Sequence, residues 1–386
     1  MHRIIAILFL FSVSALAEEK ARLKWEPLPD LPDPVGVAGP FVGVHNDALI
    51  VAGGANFPVP EGKDLWEVHK VYHGAAWVLT REEVAGKYVY EWKTGFKLKE
   101  PVAYGMCVST DKGVVCIGGQ TGELVYSGVF RLEWNSKTKT LTQTELPSLP
   151  SGCTVGSAAV VGGFVYVAGG QGGLGLETAM TNFWRMDLSK SVMEARWEKL
   201  PAWPGPVRAY NQLVAQHNGR EMCLYVFGGR RQDAKVEGIK GWIAMDDVYE
   251  FTPSRFDKKK NKPWRKRKPS PKPIMAGTAT SVGQSHVFVL SGADGELLNK
   301  IAADPEFVKT HPGFPKRAWA YHTITDTWID AGPLPANHVT SPAVKWGEDI
   351  IIASGEIKPR VRSAKVWRFT VAKQKSSFGL INFTVL

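Results

Sequence analysis

The chain has 386 residues, 39 glycines, 25 prolines and a formal net charge of +10. This length admits two ordinary domains or one large all-β domain, and so much glycine and proline favours short strands joined by turns over long helices. Nine of the basic residues lie in residues 258–272, which contain no acidic residue, so the rest of the chain carries about +1 (10 − 9). Such a run could bind nucleic acid, a membrane surface or an anionic glycan, but we interpret it as a solvated hairpin tip.

The first residues have the organisation of a secretory signal peptide. A basic start is followed by an apolar stretch at 4–13 and by small residues that end at Ala17. The alternative is a membrane anchor, but the apolar stretch is short for a bilayer span, and no later segment has a membrane-length apolar run. We therefore expect residues 1–17 to be a cleaved signal peptide and the mature protein to be periplasmic or secreted.

The chain contains four cysteines, none of them in a pair with metal-ligand spacing. Cys107 and Cys116 flank a predicted tight hairpin, which places them opposite each other on adjacent strands. A cross-strand disulfide is one interpretation, although its geometry is often strained. We favour the other, two buried free thiols.

An apolar strand that ends in a glycine pair recurs along the chain. "ALIVAGG", "GVVCIGG", "FVYVAGG" and "CLYVFGG" are followed by the degenerate copies "VFVLSGA" and "IIIASGE". The six copies end at Gly54, Gly119, Gly170, Gly229, Ala293 and Glu356. Their spacing of about 50 to 65 residues is close to the period of kelch repeats.

Each copy has companion strands that complete a propeller blade. An apolar strand precedes it, an aromatic strand follows it, and a tryptophan near a proline marks a fourth strand. The sequence therefore predicts an all-β, six-bladed kelch-type β-propeller over residues 18–375. The last blade lacks a local fourth strand, and "LKWEPLPDLP" around Trp25 has that form, so we expect the N-terminal strand to close the ring. The tail at 376–386 is not assigned a place.

One face of such a propeller is expected to carry the functional residues. In a four-stranded blade, the loop before the first strand and the loop after the second strand lie at the same end. The loops after the glycine pairs are the longest, at 55–74, 230–245 and 294–316, and long loops on a rigid scaffold are where binding residues collect. That face is predicted to hold Asn56, Arg208, Arg230, Arg231, His338, Glu356, Lys358, Arg360 and Arg362.

Glu356 is the unusual member of this set. We align it with the second glycine of the other pairs, where the sister repeats have uncharged residues. A partly desolvated carboxylate at a channel mouth needs cationic partners, and arginine pairs with carboxylates through two hydrogen bonds. The pattern therefore predicts a base beside an arginine clamp for an anionic ligand. A purely structural ion pair is the alternative, and we interpret Arg230 and Arg231 as ordinary surface arginines.

These residues resemble a known family, the kelch-type N-acetylneuraminate epimerases, or sialic acid mutarotases. The most specific segment is "SGEIKPRVRS" at 354–363, and further matching segments lie at 33–58, 101–109 and 273–280. The resemblance covers nearly all of the mature chain. Because the blades follow each other in a shifted order, the chain looks like a cyclically permuted branch of the family.

The resemblance implies interconversion of the α and β anomers of N-acetylneuraminic acid, without a metal or other cofactor. It implies that Glu356 is the catalytic carboxylate and Arg362 its motif arginine. Arg208, in "GPVRAYN", stands where the family has a Gly-Pro-Arg loop, and we expect it to bind substrate together with Asn56 and Arg360.

The sequence departs from the family at Val102, which stands where the family has an arginine. The alternative functions are a non-catalytic propeller that binds a glycan or protein, a copper oxidase, and a sialidase. The copper site requires clustered tyrosine and histidine ligands, and the Asp-box turns of a sialidase are not evident. The expected partner is a small acidic sugar and not a nucleic acid, with a homodimer left open as the assembly.

Overall fold

The structure is a computed structural model that describes residues 23–233, 235, 241–257 and 262–371. The predicted signal peptide at 1–17 and the tail at 376–386 lie outside the described residues. Six four-stranded antiparallel sheets form the blades. The propeller predicted from the repeats is thereby confirmed.

The strands follow the repeats in chain order. The first strand is β1 (Leu23–Leu28). Blade 1 contains β2 (Phe41–His45), β3 (Ala48–Ala52), a ribbon of β4 (Ala55–Asn56) and β5 (Val71–Tyr72), then β6 (Ala75–Val84) and β7 (Lys87–Lys97). Blade 2 contains β8 (Met106–Thr110), β9 (Gly113–Ile117), β10 (Val129–Asn135) and β11 (Thr140–Leu146). Blade 3 contains β12 (Ser157–Val161), β13 (Phe164–Ala168), β14 (Phe183–Asp187) and β15 (Trp197–Lys199).

The second half of the chain continues the pattern. Blade 4 contains β16 (Gln212–His217), β17 (Met222–Phe227), a ribbon of β18 (Arg230–Gln232) and β19 (Trp242–Ala244), then β20 (Val248–Phe251) and β21 (Trp264–Arg267). Blade 5 contains β22 (Met275–Val282), β23 (His286–Ala293), β24 (Arg317–His322) and β25 (Thr327–Pro333). Blade 6 contains β26 (Ala343–Trp346), β27 (Asp349–Ala353), a ribbon of β28 (Glu356–Lys358) and β29 (Val361–Arg362), then β30 (Val366–Val371).

Helices are short within the described residues. The α-helices are α1 (Pro253–Asp257) and α2 (Leu298–Ala303), and the 3₁₀ turns are Leu176–Thr178 and Pro305–Thr310. None of the helices in the described part of the chain is long and apolar enough to cross a membrane.

The N-terminal strand closes the ring, as predicted. β1 is the outermost strand of blade 6 and pairs antiparallel with β30, so that Trp25 lies opposite Phe369. The ring centroids of these two residues are 4.7 Å apart. Closure joins the two ends of the described chain in one sheet and removes the long unpaired edge that an open propeller would present.

The hydrophobic core lies between the blades. Each of six buried clusters combines side chains of two neighbouring blades, and the cluster of blades 6 and 1 includes Leu49, Val51, Trp346 and Ile351. Both faces of every sheet are therefore covered. This explains why the second strands are continuous apolar runs instead of alternating apolar and polar residues.

A closed ring of backbone hydrogen bonds surrounds the channel just before the innermost strands. One residue of each blade donates its N–H to the carbonyl of its counterpart in the preceding blade, over 2.6–3.0 Å. All six have left-handed backbone conformations, with φ between 48° and 66°. They are Gly39, Tyr104, Val155, Tyr210, Ala276 and Thr340. This conformation is costly for the five that are not glycine, and the ring supplies partners for groups that the channel would otherwise leave unpaired.

The basic run is only partly the solvated tip that we expected. Residues 258–261 lie outside the described residues, but Trp264–Arg267 is β21, the outer strand of blade 4. Arg265 and Arg267 lie 2.7 and 3.5 Å from the buried carboxylate of Glu250. Part of the positive charge therefore neutralises a carboxylate that packing has buried.

The cysteine pair has the predicted register. Cys107 and Cys116 lie opposite each other on β8 and β9, and both thiols are free. The Cys107 Sγ donates to the carbonyl of Val42 over 3.1 Å, and burial raises the pKa of Cys107 to about 12. Cys116 is buried, as expected for the free-thiol interpretation, whereas Cys107 is half-buried.

Candidate active site

The loops that we expected on one face do meet at one end of the channel. The residue after a glycine pair, or after its Ser-Gly equivalent in blade 6, forms an antiparallel bridge with a residue that lies three or four positions before the innermost strand of the same blade. The bridges join Ala38 to Ala55, Ala103 to Gln120, Thr154 to Gln171, Ala209 to Arg230 and Val339 to Glu356. These five bridges surround the same opening of the channel, which we call the mouth.

Glu356 is one position further along than we predicted. Ser354 and Gly355 have φ values of 60° and 118°, which match the 68° and 99° of the first glycine pair. Glu356 therefore corresponds to Ala55 in blade 1 and to Arg230 in blade 4. In the last repeat the glycine pair is replaced by Ser354-Gly355, so Glu356 aligns with the residue that follows the pair in the other repeats. In blade 4 that residue is Arg230, so the expectation that the sister positions are all uncharged is wrong.

The predicted pair of Glu356 and Arg362 is brought together by a short ribbon. Glu356 in β28 lies opposite Arg362 in β29, and Glu356 Oε2 is 3.0 Å from Arg362 Nη1. That nitrogen makes no aligned hydrogen bond, so the contact is an ion pair. The other oxygen, Glu356 Oε1, accepts the backbone N–H of Arg360 over 3.3 Å. Both carboxylate oxygens are thus held by residues of the same ribbon.

Arg362 extends from blade 6 over the first two blades. Its Nε donates to the carbonyl of Ala55 and its Nη2 to the hydroxyl of Tyr104, each over 3.3 Å. The guanidinium carbon lies 4.8 Å from the ring centroid of Phe57. Contacts on three sides fix the guanidinium, and through it the position of the Glu356 carboxylate.

Tyr104 is a functional candidate that the sequence did not single out. Burial holds the pKa of Tyr104 well above its ordinary value, so the side chain is a neutral phenol that accepts from Arg362 and can still donate its own proton. Tyr104 and Tyr210 both line the central cavity, whose volume is about 150 Å³. Glu356 is not part of the cavity lining, and Tyr104 is the residue that joins the cavity to the ion pair. The sequence signal that could have indicated Tyr104 is the turn that recurs before each innermost strand, which reads "VAYG" in this blade.

Arg360 reaches the site but is engaged elsewhere. Its guanidinium donates to the carbonyl of Leu65, over 2.9 Å, and to that of Val68. It also lies over the rings of Phe57 and Trp66, at 4.2 and 5.2 Å. Arg360 therefore holds the long loop of blade 1 against the ribbon of blade 6, and its side chain is a positioning group.

Asn56 has a comparable supporting place. The side chain is only 2% exposed. Its amide nitrogen donates to the carbonyl of Gly36 over 3.0 Å, and its oxygen lies 2.7 Å from His73 Nε2. These bonds join β4 to the segment before β2 and to the turn after β5, so Asn56 stabilises the mouth without facing the channel.

Arg208 is not brought into the site. It lies two residues before the backbone ring, a position that carries Val37, Val102, Cys153, Ile274 and His338 in the other blades. All six side chains at this position are buried between blades. The Arg208 guanidinium is 0% exposed and donates to both carboxylate oxygens of Asp247, over 2.9 and 2.7 Å. The substrate-binding role that we expected for Arg208 has no support in this geometry, because an opposite charge and the blade interface occupy the side chain.

His338 occupies the same interblade position in blade 6. It is 2% exposed, and within the described residues neither ring nitrogen has a hydrogen-bond partner. Burial lowers the pKa of His338 to about 4. The imidazole is thus neutral at ordinary pH. The Cβ of His338 packs against Gly355, the residue before Glu356, and leaves little room for a side chain there.

Six kelch-type blades with a carboxylate, an arginine and a neutral phenol at the mouth define a propeller with a candidate acid–base site. In the described part of the chain, no three His, Cys, Asp or Glu side chains lie close enough together to hold a metal ion.

Comparison with known proteins identifies the family. A model of the N-acetylneuraminate epimerase family matches residues 11–141 and 146–313. The chain belongs to this family. The matched residues end before Glu356 and Arg362, so the assignment of that pair rests on its own sequence motif and on the geometry above.

The curated relatives are similar over part of their length. The N-acetylneuraminate epimerase of Haemophilus influenzae (strain PittEE) is 28% identical over 240 residues, which are 57% of this chain and 57% of the relative. That of Salmonella typhi is 27% identical over 244 residues, 58% of each chain. The similarity thus spans less than two thirds of these relatives. The solved structure of YjhT superposes with a TM-score of 0.62 and 15% identity, over 90% of this chain and 98% of that one, and it shares the fold.

Proposed function

We propose that this protein is a mutarotase that interconverts the α and β anomers of N-acetylneuraminic acid or a closely related acidic sugar. Family membership supports the reaction type. The observation that carries the proposal is the Glu356 carboxylate, 18% exposed at the mouth and fixed by a nearly buried arginine. A carboxylate held in this way is available to a ligand and does not depend on the ligand for its position.

The reaction requires proton transfer and no change in composition. A base takes the proton of the anomeric hydroxyl, the bond between the anomeric carbon and the ring oxygen breaks, and the ring oxygen takes up a proton. The open-chain keto acid rotates about the bond to its carbonyl carbon, and the reverse steps close the ring on the other face. Glu356 takes the proton of the anomeric hydroxyl and delivers it to the ring oxygen as the ring opens. On closure it takes the proton back from that oxygen and delivers it to the former carbonyl oxygen, so it ends as a carboxylate.

Two neighbours support the carboxylate in this scheme. Arg362 holds Glu356 in place through the ribbon and through its bonds to blades 1 and 2. Tyr104 is half-buried, and desolvation holds its pKa well above the ordinary value, so it remains a neutral phenol. It offers a hydrogen-bond donor on the cavity side of the ion pair. We assign Tyr104 to the hydrogen bonding of the sugar ring during opening.

The test is anomer exchange in the unaltered protein. Nuclear magnetic resonance of freshly released α-N-acetylneuraminic acid would follow the appearance of the β anomer, with neutral sugars such as glucose as a comparison. We expect faster exchange of the acidic sugar and no effect on the neutral one. Tight binding without faster exchange would contradict the proposal and favour the alternative, a propeller that binds a glycan or protein.

We also propose that the chain is exported. The apolar stretch and the small residues that end at Ala17 support this placement. Amino-terminal sequencing of the protein recovered from the periplasm or the medium should begin at Glu18. A protein that is recovered in the cytoplasm with Met1 intact would contradict it.

A further inference from the structure

Arg230 is held between two aromatic rings at the mouth. Its guanidinium carbon lies 4.2 Å from the ring centroid of Tyr210 and 4.5 Å from that of Trp242. Trp242 comes from β19, the strand that pairs with β18 of Arg230. With two aromatic rings against the guanidinium, a charged partner is expected to approach its edge, which carries the N–H groups.

The charge of Arg230 is not neutralised by any carboxylate of the described residues. No salt bridge among them involves Arg230, and its buried Nε has no hydrogen-bond acceptor there. Arg208, Arg231 and Arg362 differ, because they pair with Asp247, Asp233 and Glu356 respectively. A buried or half-buried cation without an opposite charge is unfavourable unless a ligand supplies one.

Arg230 lies at the same opening as the ion pair of Glu356 and Arg362. It is the blade 4 counterpart of Glu356, as the two bridges show. Tyr210 beneath it belongs to the backbone ring and lines the central cavity together with Tyr104. Tyr104, Tyr210 and Trp242 pack on one apolar cluster. Through Tyr104, which Arg362 contacts, one apolar cluster with aromatic side chains packed on it therefore extends from the ion pair to Arg230.

We propose that Arg230 binds the carboxylate of the acidic sugar. The proposal rests on the function proposed above, whose substrate carries its carboxylate on the anomeric carbon itself. The cation that binds this carboxylate must therefore lie at the same opening as the catalytic base, as the bridge position of Arg230 does. Arg362 already faces Glu356, and Arg360 is engaged with backbone carbonyls. Among the described residues, no carboxylate pairs with the guanidinium of Arg230, and its buried Nε has no acceptor.

The experiment compares an acid with its ester. Calorimetry would measure the affinity of the unaltered protein for N-acetylneuraminate and for its uncharged methyl ester. We expect the acid to bind about 10- to 100-fold more tightly, the range of a charge-assisted pair. Arg230→Gln should lose this preference, and Arg230→Lys should keep only part of it, because lysine has the charge but not the planar fork.

Arg231→Gln is the matched control, since Arg231 is adjacent in sequence but pairs with Asp233. It should retain the full preference for the acid. If Arg230→Gln or Arg230→Lys folds and prefers the acid as strongly as the unaltered protein, the proposal is overturned. It is also overturned if the unaltered protein binds acid and ester equally. A protein that prefers the acid through Arg230 but does not exchange anomers would refute the proposed function and leave this proposal standing.

Discussion

Glu356 and Arg362 face each other across a two-stranded ribbon with 3.0 Å between Oε2 and Nη1, and the arginine is the more buried of the two. The side chain of Arg362 is 2% exposed and that of Glu356 is 18% exposed. A ligand that enters the mouth therefore reaches the carboxylate and not the guanidinium. This asymmetry supports the proposal that Glu356 transfers the proton and that Arg362 positions it.

Replacing Arg362 by lysine should slow anomer exchange while the protein stays folded. A lysine ammonium cannot contact Glu356, the Ala55 carbonyl and the Tyr104 hydroxyl together, so the carboxylate loses its fixed position. We expect exchange to fall about 10- to 100-fold, which corresponds to the loss of one or two charge-assisted hydrogen bonds. Exchange rates from nuclear magnetic resonance and a thermal unfolding curve provide the check.

Arg368 offers a control with the same chemistry away from the mouth. In the outer part of blade 6 it pairs with Glu26 and donates to the hydroxyl of Tyr90 over 3.1 Å. Arg368→Lys should leave exchange unchanged. An equal loss in both variants would mean that exchange responds to the stability of blade 6 and not to Arg362.

Replacing Arg208 should affect stability and not sugar binding. Arg208→Met leaves the carboxylate of Asp247 without its partner at a blade interface, which typically costs about 3–5 kcal/mol. Adding Asp247→Leu should recover much of that loss, because no unpaired charge then remains. Urea unfolding gives the stability, and calorimetry with N-acetylneuraminate gives the affinity. A variant that keeps its stability but loses affinity would restore Arg208 to the binding site.

His338 should make the protein less stable in mild acid. Its pKa falls from 6.5 to about 4 on folding because the ring is buried, so the folded state keeps it neutral while the unfolded state takes up a proton. The free energy of unfolding is therefore not reduced by His338 above pH 6.5. It falls as the pH drops from 6.5 towards 4, and below pH 4 His338 causes no further change. The total loss is about 3 kcal/mol at 1.36 kcal/mol for each pH unit of the shift.

The variant His338→Val places in blade 6 the residue that blade 1 has at this position, Val37. Urea unfolding between pH 7 and pH 4 should show a smaller loss of stability than the unaltered protein. His69→Gln, a change in an exposed loop residue, is the control and should leave the pH dependence as it is. If stability falls equally between pH 7 and pH 4 in all three proteins, His338 is not the group that causes the loss in acid.

The features that repeat were the ones that sequence could predict. Six apolar strands with glycine pairs specified the blades, and the missing fourth strand of the last blade specified closure by the strand around Trp25. The Glu356 and Arg362 pair could also be predicted, because a dense local motif places both residues on one short loop. The one-position offset of Glu356 was missed, since Ser354 takes the place of the first glycine of the pair and adopts the same left-handed backbone conformation.

The directions in which the arginine side chains point could not be predicted from the sequence. Arg208 precedes the ring by two residues and points between blades, whereas Arg230 follows a glycine pair and faces the mouth. Both side-chain directions follow from the register of the antiparallel bridges, and that register depends on contacts with other blades. The stacking of Arg230 on Trp242 depends in addition on a ribbon that joins residues 12 apart, and the engagement of Arg360 depends on carbonyls nearly 300 residues away.

The measurement that tests the central claim most directly is anomer exchange by Glu356→Gln. Glutamine preserves the shape of the side chain but removes the base, so calorimetry should show binding of N-acetylneuraminate, and nuclear magnetic resonance should show exchange at the uncatalysed rate. Glu348→Gln, in the exposed turn at the opposite end of the same blade, should exchange at the normal rate. If Glu356→Gln accelerates exchange as the unaltered protein does, Glu356 is not the base and the mechanism is wrong.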